Sequence, residues 1–248
     1  MQKNRVDILN CPIDTLTMEE TIKVIDNSIR NNTHLHHVVV NVAKLVNMQE
    51  DKELYNSVVS SDIINPDGQA VVWASRLLCN SHLKERVAGI DLMQNLVKLA
   101  SERHYKIFFF GGKEEVVKGV VSKYSKIYGE KIIAGYRNGY YNHNEEESIA
   151  KQIANSRADI LFVAISSPKK EIFLKKYKKI INTSFIMGVG GSFDVVSGHV
   201  NRAPYWMQKY GLEWLYRLLQ EPRRMWKRYL YTNSKFLYLV FKEKLFTH

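Results

Sequence analysis

Short apolar runs alternate along this chain with stretches in which apolar residues recur every three or four positions. Parallel strands buried on both faces read as continuous runs of Val, Ile, Leu and Phe, while the connecting helices carry a single apolar stripe. The runs predict strands over His37–Val42, Ser61–Asn65, Lys106–Phe110, Ile132–Gly135, Ile160–Ile165 and Ser184–Met187. Helices are expected over Ala43–Gln49 and Ala70–Leu78, and from about Glu114. The alternation predicts an α/β fold, a Rossmann-like, mostly parallel sheet flanked by helices. From about Ala203 the strand pattern stops and the chain reads helix–proline–helix, with Pro204 and Pro222 each expected as the first residue of a helix. An α/β core over residues 1–200 and a C-terminal helical appendage over 201–248 are therefore expected. The core should stay folded and soluble, with little activity, when the appendage is removed.

Charge and aromatic content single out that appendage. The 248 residues carry a formal net charge of +11, and ten Lys and Arg against three Glu fall within Arg202–His248. Twelve aromatic residues lie there too, among them Trp206, Trp214 and Trp226. Arginine interleaved with aromatic rings suits a membrane interface or a phosphate-bearing partner. Charge alone leaves nucleic acid, anionic lipid and phosphorylated substrates open, but no DNA- or RNA-binding module is present. The N-terminus lacks the apolar segment of a signal peptide, and no apolar run approaches the roughly 18–20 residues of a spanning helix. Cys11 and Cys79 have no metal-ligand spacing and fit a reducing compartment. The expected location is cytoplasmic, peripheral on the inner face of the cell membrane. The appendage could dock on its own core or on a second copy, so a homo-oligomer stays open.

In open α/β sheets ligands bind beyond the carboxyl ends of the strands. Residues just after each expected strand are Asn41, Asp67, Gly111-Gly112, Ser166 to Lys170 and Gly188 to Asp194. Asp67, within Asn65-Pro66-Asp67-Gly68, is either plain turn chemistry or a general base for an attacking hydroxyl. Gly188-Val189-Gly190-Gly191-Ser192-Phe193-Asp194 would let backbone approach a ligand closely, but Phe193 stands where a dinucleotide fingerprint needs its third glycine. Ser167-Pro168-Lys169-Lys170-Glu171 reads as an N-cap, a first-turn proline and two lysines at a helix start, where an anion or a solvated basic face would account for the charge. Arg224 and Arg228 are four apart and share a helix face, and Arg217 precedes Pro222 by five residues. The plain alternative is ordinary surface decoration. Asp-x-Asp, zinc-ligand spacing and a Gly-x-Ser-x-Gly elbow are absent, so neither a metal nor a cofactor is expected.

Taken in order, several segments resemble one family across essentially the whole chain. They are Ile13 to Glu20, Asp67-Gly68, Glu85 to Leu92, Phe109 to Gly112, Gly188 to Gly198, Arg202 to Trp206, Gly211 to Arg217 and Glu221 to Arg224. The resemblance is to the WecG/TagA/CpsF glycosyltransferases. It implies an inverting, metal-independent enzyme that moves N-acetylmannosamine, or a related hexose or uronic acid, from a UDP-sugar donor. The acceptor would be a polyprenyl-diphosphate-linked sugar in cell-surface polysaccharide or teichoic acid biosynthesis. It further implies Asp67 as base with Asn41 beside it. Gly111, Pro168, Lys170, Glu171, Gly188, Gly190, Gly191 and Asp194 would lie around the donor. Arg202, Arg217, Arg224 and Arg228 would hold the lipid diphosphate and help neutralise the departing UDP. Two positions depart from the family pattern: Val39 stands where Thr is common, and Lys170 where Gln is common. A cation at 170 would favour a more anionic donor. The alternative reading is a non-catalytic basic protein that binds membrane or nucleic acid.

Overall fold

A computed structural model describes residues 4–246. The chain opens with a hairpin, β1 (Arg5–Ile8) and β2 (Cys11–Asp14), followed by α1 (Met18–Arg30), β3 (Leu35–Val40), α2 (Val42–Met48) and α3 (Lys52–Val59). Next come β4 (Ile63–Pro66), α4 (Gln69–Leu78), α5 (Gly89–Arg103), β5 (Ile107–Gly111), α6 (Glu114–Tyr128) and β6 (Ile133–Arg137). Then α7 (Glu146–Asn155), β7 (Ile160–Ala164), α8 (Lys169–Ile181), β8 (Phe185–Gly188) and α9 (Ser192–Val196) complete the α/β portion. The chain ends in α10 (Tyr205–Lys209), α11 (Glu213–Gln220) and α12 (Pro222–Phe246). Six strands form one parallel sheet in the order β4-β3-β8-β7-β5-β6, flanked by helices, which is the α/β class that the apolar runs predict.

Two compact units divide the chain. One comprises Glu19–Val38 and Gly89–Asn201. Its core follows from strand alternation, because successive side chains point to opposite faces. Phe108 and Phe110 of β5 with Leu161 and Val163 of β7 face one way and are covered by Ile149 and Ile153 of α7 and Phe173 and Leu174 of α8. On the other face Phe109 packs its ring near those of Phe162, Tyr124 and Phe193, at centroid distances of 5.8–5.9 Å. Fully burying each such side chain stabilises the fold by about 1.5–3 kcal/mol.

The other unit gathers the chain up to Met18, Val39–Ala88 and the segment from Arg202 onward. Its hairpin is fastened by Arg5, whose guanidinium donates to both Asp14 carboxylate oxygens at 2.9 and 3.1 Å. Asp14 in turn accepts from the Ile64 N–H at 2.7 Å. Helix α12 packs along α2 and α4. Its buried positions Met225, Thr232, Phe236 and Val240 recur at helical spacing and form one face. Tyr231 and Lys235 on the same helix both reach the Glu50 carboxylate just beyond α2. Pro222 opens α12 as expected, whereas Pro204 caps α10 from outside rather than starting it. Among the described residues no helix is long and apolar enough to cross a membrane.

Candidate active site

Asp67 is the first residue beyond β4, and its N–H donates to the Val40 carbonyl at 2.7 Å, which ties it to the end of β3. Gly68 then caps α4. Asp67 therefore lies at the amino end of a ten-residue helix, where the dipole favours the ionised carboxylate. Asn41 caps α2: its side-chain oxygen accepts from the Lys44 N–H at 3.0 Å. A methyl group built on Gly68 would stand 3.9 Å from the Asn41 Cβ, so the two strand ends bring Asn41 and the Asp67-Gly68 turn together. The turn between α10 and α11 reaches the same place. Gly211 adopts φ +71°, and a Cβ there would meet the Gln69 Cβ at 2.6 Å, two residues after Asp67.

Four arginines of this unit are bracketed by the carboxylates of Glu213 and Glu221. Glu213 of α11 pairs with Arg86, and its other oxygen lies 3.7 Å from Nε of Arg202. Glu221, at the α11–α12 junction, accepts from Arg224 at 2.7 Å and lies 3.9 Å from Nε of Arg217. Thus Arg217 and Arg224 share one carboxylate. Arg228 takes a different course: its guanidinium lies over the Tyr229 ring at 5.0 Å, and that ring meets Trp214 edge-on. Large apolar side chains are exposed throughout these helices, including Tyr205, Trp206, Trp226, Tyr238 and Phe241.

In the other unit the glycines divide by role. Gly111, at φ +126°, has the Ala164 backbone so close that a Cβ would meet its carbonyl oxygen at 2.4 Å. That glycine is required by the packing of β5 on β7, and Gly112 donates its N–H to the same Ala164 oxygen. Gly190 has φ +53° and open space around it, so its need is conformational. Gly191 caps α9, which carries Asp194, while Phe193 is buried in the aromatic core. Phe193 thus fills the position of a third fingerprint glycine with core packing.

Pro168, not Ser167, caps α8, and the peptide between them is cis. The two lysines that follow have opposite fates. Lys169 lies over the Tyr141 ring at 3.7 Å. Burial, with the Glu146 carboxylate adding to it, pushes the Tyr141 phenol up to about 12, so the ring beneath that cation is neutral. Lys170 is buried beside Glu171, with Nζ 3.5 Å from Oε1, and its chain passes over Gly188. Neither belongs to a freely solvated basic face. Among the described residues, no three His, Cys, Asp or Glu side chains come together as a metal site.

Residues 6–248 match the family described as glycosyl transferase WecG/TagA/CpsF. The chain belongs to the WecG/TagA/CpsF glycosyltransferase family. It is 43% identical over 195 residues to an N-acetylglucosaminyldiphosphoundecaprenol N-acetyl-beta-D-mannosaminyltransferase of Bacillus subtilis (strain 168), covering 79% of this chain and 74% of the relative. An identically named protein of Bacillus spizizenii (strain ATCC 23059 / NRRL B-14472 / W23) is 38% identical over 191 residues, 77% of this chain and 72% of its own. Within this glycosyltransferase, Asn41 and Asp67 form one cluster, Lys170, Glu171 and Gly188 a second, and Arg217 and Arg224 a third around Glu221. Arg86 joins Arg202 at Glu213 and was not among the residues expected from sequence. The only signal for it was its place within Glu85 to Leu92, one of the segments that carry the family resemblance.

Proposed function

We propose that this glycosyltransferase moves N-acetylmannosamine, or a close relative, from a UDP-sugar to a polyprenyl-diphosphate-linked N-acetylglucosamine, with inversion at the anomeric carbon. The observation that carries the reading is the extent of similarity to the two mannosaminyltransferases, whose names state that acceptor and that sugar. In this reading Asp67 takes the proton from the acceptor hydroxyl as it attacks the anomeric carbon, and the bond to UDP breaks on the opposite side. The amide nitrogen of Asn41, whose oxygen is engaged in the α2 cap, offers a donor beside the reacting groups. Gly111, Pro168, Lys170, Glu171, Gly188, Gly190, Gly191 and Asp194 belong to the donor site. Arg202, Arg217, Arg224 and Arg228, joined by Arg86, hold the acceptor's diphosphate and offset charge developing on UDP without a metal ion. The exposed Trp and Tyr side chains of α10 to α12 rest at the cytoplasmic membrane surface, where amphipathic rings are stable.

The test is UDP release from a panel of UDP-sugars in EDTA, with and without prenyl-diphosphate-linked N-acetylglucosamine. Release should require the acceptor and persist in the chelator. Asp67→Asn should lower turnover by about 10²–10⁴-fold, the usual worth of a positioned base, while UDP affinity is retained. Turnover that survives this substitution removes Asp67 from the role. Release that EDTA abolishes removes metal independence.

A further inference from the structure

The peptide group that joins Pro66 to Asp67 is held at both of its polar atoms. The Asp67 N–H donates to the Val40 carbonyl at 2.7 Å, and the Pro66 carbonyl accepts from the Val87 N–H at 2.9 Å. Val87 is fully buried, and the side chain of Arg86 before it reaches Glu213 in the first turn of α11. Two residues before Glu213, Gly211 lies so close to Gln69 that a Cβ would meet the Gln69 Cβ at 2.6 Å. The segment that links α10 to α11 therefore reaches the chain on both sides of Asp67. It meets Gln69 directly, two residues after the carboxylate, and it meets Pro66 through Arg86 and Val87, one residue before.

No residue of α11 is buried, so burial does not set where this helix rests against the Asp67 turn. That is left to the contacts at its amino end, Gly211 on Gln69 and Glu213 on Arg86. The Glu213 side chain is 29% exposed, and ion pairs open to solvent contribute little to stability. Position matters more than stability here. A general base must stand within about 2.6–3.2 Å of the group whose proton it takes, and a misplacement of about 1 Å can cost about 100-fold in rate. A carboxylate that fixes the peptide beside Asp67 acts on that distance.

We propose that Glu213 is a positioning residue: by holding Arg86 it fixes the Pro66–Asp67 peptide, and with it the place of the Asp67 carboxylate beside the acceptor hydroxyl. The proposal rests on the reading of Asp67 as the base and adds what sets its position. Glu213 acts through Arg86 and Val87 without touching the reacting atoms. Its carboxylate also faces Arg202, so an effect on turnover has to be separated from an effect on acceptor binding.

UDP release by the full chain, at saturating UDP-N-acetylmannosamine and varied prenyl-diphosphate-linked N-acetylglucosamine, makes that separation. The proteins are the wild type, Glu213→Ala, Glu213→Gln, Asp67→Asn and Asp67→Asn combined with Glu213→Ala, each also followed by thermal unfolding. Glu213→Ala should lower kcat about 100-fold, while its unfolding temperature stays within about 4 °C of wild type. Glu213→Gln keeps the size of the side chain and one hydrogen bond to Arg86, and should lose about 10-fold. In the Asp67→Asn background the Glu213→Ala loss should shrink to about 2-fold or less, because the base that it positions is gone. A wild-type kcat in Glu213→Ala overturns the proposal. A rise in acceptor KM at unchanged kcat overturns it too, since Glu213 would then serve only the arginines. So does a full 100-fold loss added to that of Asp67→Asn, which would make the two residues independent. If Glu213→Ala does not fold, a wild-type kcat in Glu213→Gln overturns the proposal equally. Turnover that survives Asp67→Asn, or a wild type that releases no UDP, overturns the reading beneath the proposal, and neither result depends on Glu213.

Discussion

The two units hold positive charge in opposite ways. In the unit that contains β5 to β8, the cation at a strand end is one buried lysine, fixed by a glutamate and seated over a glycine. In the unit that contains the C-terminal helices, four solvent-accessible arginines, Arg86, Arg202, Arg217 and Arg224, are bracketed by Glu213 and Glu221. A buried charge is pre-positioned and poorly screened, whereas exposed charges on long side chains are adjustable and salt-sensitive. The first arrangement suits a small ligand whose anionic group always arrives in one place. The second suits a diphosphate on a lipid, which approaches with variable depth and angle.

Removing α12 would break the comparison most severely. Its three buried apolar side chains contribute about 1.5–3 kcal/mol each, enough to unfold a marginally stable unit. A chain ending at Glu221 should lose amide-exchange protection in Val39–Ala88 while β5, β7 and β8 keep theirs. Sequence alone suggests that the core survives removal of the appendage, but the packing of α12 on α2 and α4 predicts that it does not.

A smaller effect sharpens the contrast between exposed and buried cations. Arg217→Ala with Arg224→Ala should raise KM for the lipid-linked acceptor by about 10- to 100-fold at low salt, and the penalty should shrink as ionic strength rises. The Lys170→Gln penalty on donor binding should hold nearly constant over the same range. Equal salt dependence would show that the two sites do not differ as described.

The smallest effect concerns a carboxylate with no assigned part in catalysis. Burial alone would raise the Glu146 carboxyl, but hydrogen bonds from Lys176, His143 and Tyr177 outweigh it and hold the group below its ordinary value. A carboxylate lowered in the folded state contributes stability above its unfolded value, and that contribution disappears as pH falls through the folded value. Glu146→Gln should therefore be destabilised by about 1 kcal/mol at pH 7 and approach wild type in acid. Thermal unfolding across pH 3–7 checks this, and a gap that widens in acid would reverse the sign.

The buried strands were legible because each is a continuous apolar run. Lys106–Phe110 was expected and Ile107–Gly111 is observed; Ile160–Ile165 was expected and Ile160–Ala164 is observed. The N-terminal hairpin was not legible. Its strands are four residues long, and its turn places Leu9 and Asn10 at positive φ without the Asn-Gly pair that marks such turns. Lys169 and Lys170 were alike in sequence, since the burial of one depends on a glycine on a separate strand. Arg86 escaped notice for a related reason: its partner Glu213 lies far along the chain, and no local pattern joins them.

Gly211 has a consequence for how this enzyme can be altered. Its left-handed backbone and the 2.6 Å limit set by Gln69 make the position intolerant of any side chain. It is nevertheless remote in sequence from Asp67. A single methyl added at 211 would press from outside on Gln69 at the start of α4, two residues after Asp67, without changing any residue assigned a part in the proposed reaction. With Asp67 as the proposed base, position 211 is a lever for tuning reactivity at a distance, and an early casualty of random mutagenesis.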